Sequence, residues 1–223
     1  MGKIYLVRHG QASLGKDNYD QLSPLGANQS LRLGEYLKEC GLLFEAAYCG
    51  SLIRQQHTLT QVLKGLQTPD VDRFGIPQLN EYDSHAIIKC VHQGPIPNTG
   101  TEQGYRDFFR LLRLGLISWM TMPVPPENIP PFTQFEEGVI QTLHSIQSTR
   151  KGSILVVSSG GPISTALAHF LGMNDQGRIE INLRLRNTSI SELNFNDRAI
   201  SVVSFNTLPH LAQPEYKDWI TYA

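Results

Sequence analysis

The arginine, histidine and glycine at positions 8 to 10 have the chemistry that phosphoryl transfer needs. An imidazole titrates near neutral pH and can attack phosphorus, a guanidinium matches two phosphate oxygens, and glycine lets the backbone approach a ligand closely. The triplet directly follows the apolar run 4–7, which is typical of a buried strand. We therefore interpret Arg8, His9 and Gly10 as part of a site at the carboxyl end of a parallel strand, where open α/β sheets bind their ligands.

Arg54 lies near the amino end of a second predicted helix, which we expect to extend from a Ser51 cap to about residue 66. At helical spacing, Ser51, Arg54 and Thr58 share one face. An arginine in such a position is most often a solvated surface charge. A phosphoryl group, however, carries nearly two negative charges, so a phosphate pocket around Arg8 requires a second cation. On that ground we assign Arg54 to the site.

Two further groups follow predicted strands. Glu81 comes after a short strand expected near residues 78–79. A carboxyl beside bound phosphate has its pKa raised by like charge, and in the protonated form it can donate to a leaving oxygen, although a surface glutamate is the alternative. A serine and glycine turn at 158–162 follows the apolar strand 153–158 and opens a helix to about residue 171. Because helix-start amides bind anions, we expect the Gly160 amide to contact phosphate.

The elements around these residues alternate between strand and helix. Strands are predicted at 4–7 and 46–49, and a helix begins at Ser23-Pro24 and ends near Gly41. Two strands at 189–195 and 199–205 form a predicted hairpin around 196–197. The segment 82–149 is mostly helical, is interrupted by a proline-rich stretch at 123–131, and is interpreted as a helical insertion over the sheet edge. The pattern predicts one α/β domain over residues 1–223, with a mostly parallel central sheet.

Composition restricts the function classes. The chain has 223 residues, 40% hydrophobic and 17% charged, with a net charge of −1, which suits a folded domain and disfavours a nucleic acid or a membrane as partner. No apolar stretch has the length of a membrane span or the form of a signal peptide. The three cysteines are widely spaced and are expected to be reduced. We expect a cytoplasmic protein.

Taken together, these motifs resemble the histidine phosphatase superfamily, also called phosphoglycerate mutase-like. The resemblance covers about residues 3–206 and includes the segment 22–26 after the first motif. It implies a three-layer α/β/α sandwich, a phosphohistidine intermediate on His9, a phosphate pocket formed by Arg8 and Arg54, and Glu81 as proton donor. Gln11 and Ser13 resemble the family's first loop and are assigned to substrate binding. The resemblance implies no metal and no other cofactor, and a small phosphorylated substrate or phosphate as the partner.

One departure from the family pattern concerns its second histidine. Members usually carry a Ser-His-Gly-Gly run that completes the phosphate pocket, and here the histidine position is Ser159. A hydroxyl donates one hydrogen bond but supplies no positive charge, so its effect on the transition state is smaller by roughly 1.5–3 kcal/mol. We expect slow catalysis, and we expect the pocket to have room for an imidazole at this position. His85, His92 and His144 are alternative sources of a second histidine.

A second departure separates the branches of the family. Cofactor-dependent mutases resemble one another in an Arg-x-Tyr-Gly run after the glutamate, whereas this chain has Tyr-Asp-Ser-His at 82–85. We therefore expect a metal-independent phosphomonoester hydrolase. The alternatives are a mutase-type phosphotransferase and a catalytically weak protein that binds phosphate or a phosphoprotein. Arg106, Arg110 and Arg113, at helical spacing, either bind an anionic substrate or form a solvated helix face.

Overall fold

A six-stranded sheet forms the centre of the fold. A computed structural model describes residues 1–12, 20–122 and 129–222. The strands are β1 (Gly2–Arg8), β2 (Ala46–Cys49), β3 (Asp72–Gly75), β4 (Ser153–Ser158), β5 (Ile190–Phe195) and β6 (Ile200–Thr207). Their order is β3-β2-β4-β1-β5-β6, and only β5 runs against the other strands. The predicted hairpin and the mostly parallel sheet are confirmed.

Helices lie on both faces of this sheet. The α-helices are α1 (Pro24–Glu39), α2 (Ile53–Leu66), α3 (Ser84–Lys89), α4 (Glu102–Thr121), α5 (Phe132–Thr149), α6 (Gly160–Leu171) and α7 (Asp175–Asn182). Alternate residues of β1 point to opposite faces, as the strand period requires. Tyr5 and Val7 pack with apolar residues of α1 and α2, while Ile4 and Leu6 pack with those of α5 and α6. The three-layer α/β/α sandwich is therefore confirmed.

The region expected to be an insertion contributes to two parts of the fold. Helix α5 joins the layer beneath the sheet, where Val139, Leu143 and Ile146 pack against β1 and β4. Helices α3 and α4 instead form a separate apolar cluster around Trp119, which is 2% exposed. The layer beneath the sheet and the separate apolar cluster thus come from neighbouring parts of one stretch of chain. Residues 123–128 of the proline-rich stretch lie outside the described residues.

The chain around residue 78 differs from the prediction. Pro77–Leu79 forms a short 3₁₀ helix rather than a strand, and the strand lies earlier, as β3. Proline has no backbone N–H to donate to a sheet, and the Leu79 amide donates to the carbonyl of Ile76 at 3.0 Å. Apolar residues alone did not distinguish this turn from a strand. Helix α7 is a further element that the sequence pattern did not predict.

Within the described part of the chain, none of the helices combines the length and the apolar character that crossing a bilayer requires.

Candidate active site

His9 lies at the carboxyl end of β1, in the middle of the sheet. Its amide donates to the carbonyl of Ser158 on the adjacent β4 at 2.9 Å, and its side chain is 3% exposed. The Nδ1 atom lies 2.8 Å from the Gly10 carbonyl. A carbonyl accepts only, so Nδ1 carries the proton, and the lone pair is on Nε2. A Cβ on Gly10 would lie 2.3 Å from the carbonyl oxygen of Gly26, which explains the glycine in this motif.

Arg54 enters the site from the first turn of α2. Its Nε atom donates to Nε2 of His9 over 3.3 Å, and its side chain is buried. The pKa of His9 is lowered well below its usual value, first by burial and then by the positive charges of Arg54 and Arg8, while the Gly10 carbonyl opposes the shift. The site therefore keeps His9 neutral, which is the form that acts as a nucleophile.

Asp20 holds Arg54 in place and begins α2. Its carboxylate lies 2.9 Å from Nη1 of Arg54 and accepts a hydrogen bond from the amide of Ile53 at 2.9 Å. The predicted Ser51 cap is wrong, because the cap residue is Leu52 and it makes no side-chain cap bond. A carboxylate from elsewhere in the chain performs that role. Sequence reasoning missed Asp20, since a local capping pattern gives no signal for a residue more than thirty positions away.

Arg8 completes the cationic end of the site. It is the last residue of β1, its side chain is 7% exposed, and its guanidinium donates to the carbonyl of Leu185. This contact fixes one side of the planar group against the main chain. Arg8 and Arg54 thus place two guanidinium groups around one imidazole, as the pattern of residue types predicted.

Glu81 is half-buried at the start of the connection to α3. The Gly161 amide, in the first turn of α6, donates to its two carboxyl oxygens at 3.0 and 3.2 Å. The pKa of Glu81 is raised, first by burial, against the opposing effects of Arg54, the Gly161 amide and Arg8. Burial therefore raises this pKa before any phosphate is bound, a cause that the sequence prediction did not include. A Cβ on Gly161 would lie 2.2 Å from Oε1 of Glu81, so this contact requires a glycine.

Ser159 is fully buried beside Gln55 of α2. Its Oγ accepts a hydrogen bond of 2.9 Å from Nε2 of Gln55, which also donates to the Leu79 carbonyl at 2.9 Å. On its other side, Oε1 of Gln55 would lie 2.0 Å from a Cβ on Gly50, so the amide is closely enclosed. The Gln55 amide lies against the Ser159 hydroxyl, so an imidazole at this position would have to displace that amide, which the expectation of free room did not include. Contact of the Ser159 hydroxyl with phosphate stays a prediction.

The remaining predicted binding residues have local roles in the structure. The Gln11 side-chain oxygen accepts from the Ser23 hydroxyl at 2.7 Å, which fixes the start of α1. Gly160 is buried, and a Cβ there would lie 2.7 Å from Oδ1 of Asn182. Ser13 lies outside the described residues. Substrate binding by these residues stays a prediction.

A cavity of about 660 Å³ opens onto the histidine and the groups around it. Arg8, His9, Arg54 and Glu81 all line it, so the structure brings the four predicted catalytic residues together. The other described residues in its wall are Leu52, Tyr82, Asp83, Ser84, His85, Ile96, Pro97, Asn98, Thr99, Phe108, Phe109, Leu112, Asn182 and Leu183. The site thus has a charged end, formed by Arg8, His9, Arg54 and Glu81, and a largely uncharged end around Phe108 and Phe109, with Asp83 as the other carboxylate among the described residues of the wall.

Of the three alternative histidines, only His85 reaches this cavity, and it lies at the uncharged end. Its ring centroid is 6.1 Å from that of Phe108. His92 lies 3.3 Å from the Pro95 carbonyl, and His144 pairs with Gln147 at 2.8 Å on the surface. His85 lies beside Phe108, and His92 and His144 are not among the residues of the cavity wall, so none of the three replaces a histidine at position 159.

Of the three arginines of α4, Arg106 and Arg110 are exposed, whereas Arg113 is half-buried against α7. Arg106 pairs with Glu102 at 2.5 Å, Arg110 pairs with Asp107 at 3.3 Å, and Arg113 pairs with a glutamate of α7. None of them is in the wall of the cavity. Of the two interpretations left open by the sequence, the structure supports the solvated face.

Comparison with known proteins gives one family match and several structural neighbours. A family model described as the histidine phosphatase superfamily (branch 1) matches residues 4–86 and 115–208. Over 88 residues the chain is 35% identical to a 2,3-bisphosphoglycerate-dependent phosphoglycerate mutase of Rhizobium etli. That alignment covers 37% of this chain and 42% of the mutase, so the similarity extends over about two fifths of that relative's length.

Two solved structures show the same fold. YhfR of Bacillus stearothermophilus superposes with a TM-score of 0.68 at 17% identity, covering 94% of this chain and 99% of that one. A mycobacterial glucosyl-3-phosphoglycerate phosphatase superposes with a TM-score of 0.66 at 18% identity, covering 93% of this chain and 100% of that one. At these identities the likeness concerns the fold alone.

Proposed function

Because the chain belongs to the histidine phosphatase superfamily, we propose that it is a phosphomonoester hydrolase that works through a phosphohistidine on His9. The observation that carries this proposal is the state of His9 itself. Its Nδ1 is held 2.8 Å from the Gly10 carbonyl, and burial and two arginines lower its pKa, so the imidazole is neutral and its Nε2 lone pair, which accepts from Arg54, lies at the charged end of the cavity. A site that only bound phosphate would need no such nucleophile.

In the first step, Nε2 of His9 attacks phosphorus in line with the bond to the alcohol oxygen. The N–P bond forms as the P–O bond breaks, and the bonding electrons of P–O remain on the leaving oxygen. Arg8 and Arg54 bind the phosphoryl oxygens and stabilise the charge spread over them in the transition state. The 3.3 Å bond from Arg54 to the imidazole is then exchanged for a bond to phosphate.

Glu81 transfers a proton to the leaving oxygen as that bond breaks. Its raised pKa keeps a protonated fraction to higher pH than an exposed carboxyl would. In the second step the carboxylate takes a proton from water, the water oxygen attacks phosphorus, and the N–P bond breaks with its electrons returning to Nε2. The products are alcohol and inorganic phosphate, and both catalytic groups regain their starting protonation states.

The curated relative named above makes a mutase activity the second candidate. A mutase must return the phosphoryl group from the histidine to a second oxygen of a carboxylate-bearing substrate. Shortly after Glu81, this chain presents an acidic residue, Asp83, to the cavity. Like charge there disfavours a substrate carboxylate, and this observation favours hydrolysis over transfer.

The test is a rapid-quench experiment with a ³²P-labelled phosphomonoester. The wild type is expected to give a protein-bound label that is stable in base and lost in acid, as a phosphoramidate is. His9→Ala should give none, whereas His144→Ala, which changes a surface histidine, should label normally. A label that is lost in base and stable in acid would overturn the assignment of the nucleophile. Release of phosphoglycerate isomers instead of inorganic phosphate would establish the mutase.

Metal independence belongs to the same proposal, since two arginines supply the charge that a divalent ion would otherwise bring. Hydrolysis of an aryl phosphate is expected to continue at the same rate after dialysis against EDTA. Loss of activity that is restored by a divalent cation would refute this part of the mechanism.

A further inference from the structure

The uncharged end of the active-site cavity has an aromatic wall. Phe108 and Phe109 of α4 line it together with Ile96 and Pro97 from the preceding loop. The two phenyl rings lie with centroids 5.5 Å apart at 73°, an edge-to-face pair. Both rings are half-buried, so part of each apolar surface remains open to a ligand.

This wall is firmly supported from behind. Phe108, Phe109 and Ile96 pack against the buried cluster of α3 and α4, whose members include Ile88, Leu112 and Leu116. The two rings therefore stand on a helix, at the outer surface of a packed apolar core. A preformed apolar surface loses less conformational entropy on binding than a flexible one.

The charges in the cavity allow one anionic group. Arg8 and Arg54 are the only lysine or arginine residues among the described residues of the wall, and the phosphoryl dianion matches their charge. A second anion on the substrate would lie among the aromatic rings and near Asp83, whose carboxylate already caps α3 through the His85 and Ala86 amides. Transfer of an anion from water to such surroundings is unfavourable.

The wall also comes from a part of the chain that lies outside the family match. The family match covers residues 4–86 and 115–208 and omits 87–114, the stretch that holds Ile96 and both phenylalanines. The catalytic groups lie within the matched ranges. The unmatched stretch therefore forms the part of the cavity where the leaving group of a substrate would bind.

We propose that the substrates are phosphomonoesters of apolar, preferably aromatic, alcohols with no second anionic group. The inference rests on the proposed function for the position of the phosphoryl group, since that position directs the alcohol toward the wall. The apolar part of the alcohol packs against Phe108 and Phe109, and it gains affinity by removing apolar surface from water.

The experiment measures binding and turnover separately. Calorimetry with the non-hydrolysable 2-phenylethylphosphonate and ethylphosphonate compares an aromatic with a small apolar group at the same charge. The wild type is expected to bind the phenylethyl compound about tenfold or more tighter. Phe109→Ala should remove most of this difference, and Leu114→Ala, which changes an exposed residue of the same helix, should preserve it.

Turnover is then compared for 2-phenylethyl phosphate, ethyl phosphate and 3-phosphoglycerate, whose leaving groups are all alkyl alcohols. We expect kcat/KM to be highest for the phenylethyl ester and lowest for 3-phosphoglycerate. Equal affinity of the two phosphonates for the wild type would overturn the inference even where Phe109→Ala does not fold, as would a preference for 3-phosphoglycerate. Preferential phosphonate binding without hydrolysis of any ester would support the inference and overturn the proposed function instead.

Discussion

Replacing Glu81 with glutamine removes the proton-transfer roles of that residue and keeps its contact with α6. The amide oxygen of the introduced glutamine can still accept from the Gly161 amide, which lies 3.0 Å from Oε1 in the wild type, so the fold should be retained. The variant loses the acidic proton and also the carboxylate that takes a proton from water in the second step, but kcat/KM reports only the steps up to release of the alcohol. General acid catalysis contributes about 10²–10⁴-fold, or about 2.7–5.4 kcal/mol of transition-state stabilisation, when the leaving oxygen is a poor leaving group.

The assay compares two esters whose leaving groups differ in basicity. An alkyl phosphate must have its leaving oxygen protonated, so Glu81→Gln should lower kcat/KM for it by about 10²–10⁴-fold. Nitrophenolate leaves without a proton, and kcat/KM for nitrophenyl phosphate should fall by less than about threefold. Glu215→Gln, on the exposed surface, is the matched control and should change neither value.

Equal losses on the two esters would refute the assignment of Glu81 as the acid. In that case the carboxyl would act by holding the first turn of α6, and the thermal midpoint of Glu81→Gln should fall with its activity. Inhibition by vanadate distinguishes these outcomes further. A variant that lacks only the proton should bind vanadate as the wild type does, because the arginines that hold its oxygens are unchanged.

Three further predictions concern the groups around the imidazole. Because His9 must be neutral and Glu81 protonated, kcat/KM should rise with pH through a His9 pKa below 6.5 and fall with pH through a Glu81 pKa above 4.5. In Glu81→Gln the fall should disappear. Ser159→His alone displaces Gln55, so it should lower the free energy of unfolding by about 1–3 kcal/mol, which a thermal melt would show. Combining it with Gln55→Ala should raise kcat/KM about tenfold over the wild type in steady-state kinetics. Asp20→Asn should lower kcat/KM about tenfold through loss of a charge-assisted bond to the second arginine, and an unchanged value would make Asp20 a helix cap only.

The sequence predicted the charged end of the site because its residues follow strands. Parallel strands bring their carboxyl ends to one edge, so Arg8 and His9 could be placed beside the start of α2 and α6 from the sequence alone. The apolar strand residues and helix boundaries carried that information locally. Glu81 was placed correctly although the element before it is a 3₁₀ turn, since either element delivers the residue to the same edge.

The contacts that the sequence did not reveal all join distant segments. Asp20 reaches the start of α2, and Gln55 reaches Ser159 more than a hundred positions away. The residues next to Asp20 and Gln55 in the sequence form no pattern that identifies these distant partners. The cause of the raised pKa of Glu81 was hidden for the same reason, because burial depends on how α3 and α6 pack around it.

The separate apolar cluster of α3 and α4 has a consequence for the effect of amino-acid substitutions in the wall. Phe108 and Phe109 pack in a cluster of which only Phe135, among the described residues, also packs with the layer beneath the sheet. The histidine and its arginines are held by strand pairing and by the first turn of α2, which such substitutions do not touch. On the proposed function, substitutions in α4 would therefore change which alcohol binds and leave the residues that hold the phosphoryl group unchanged.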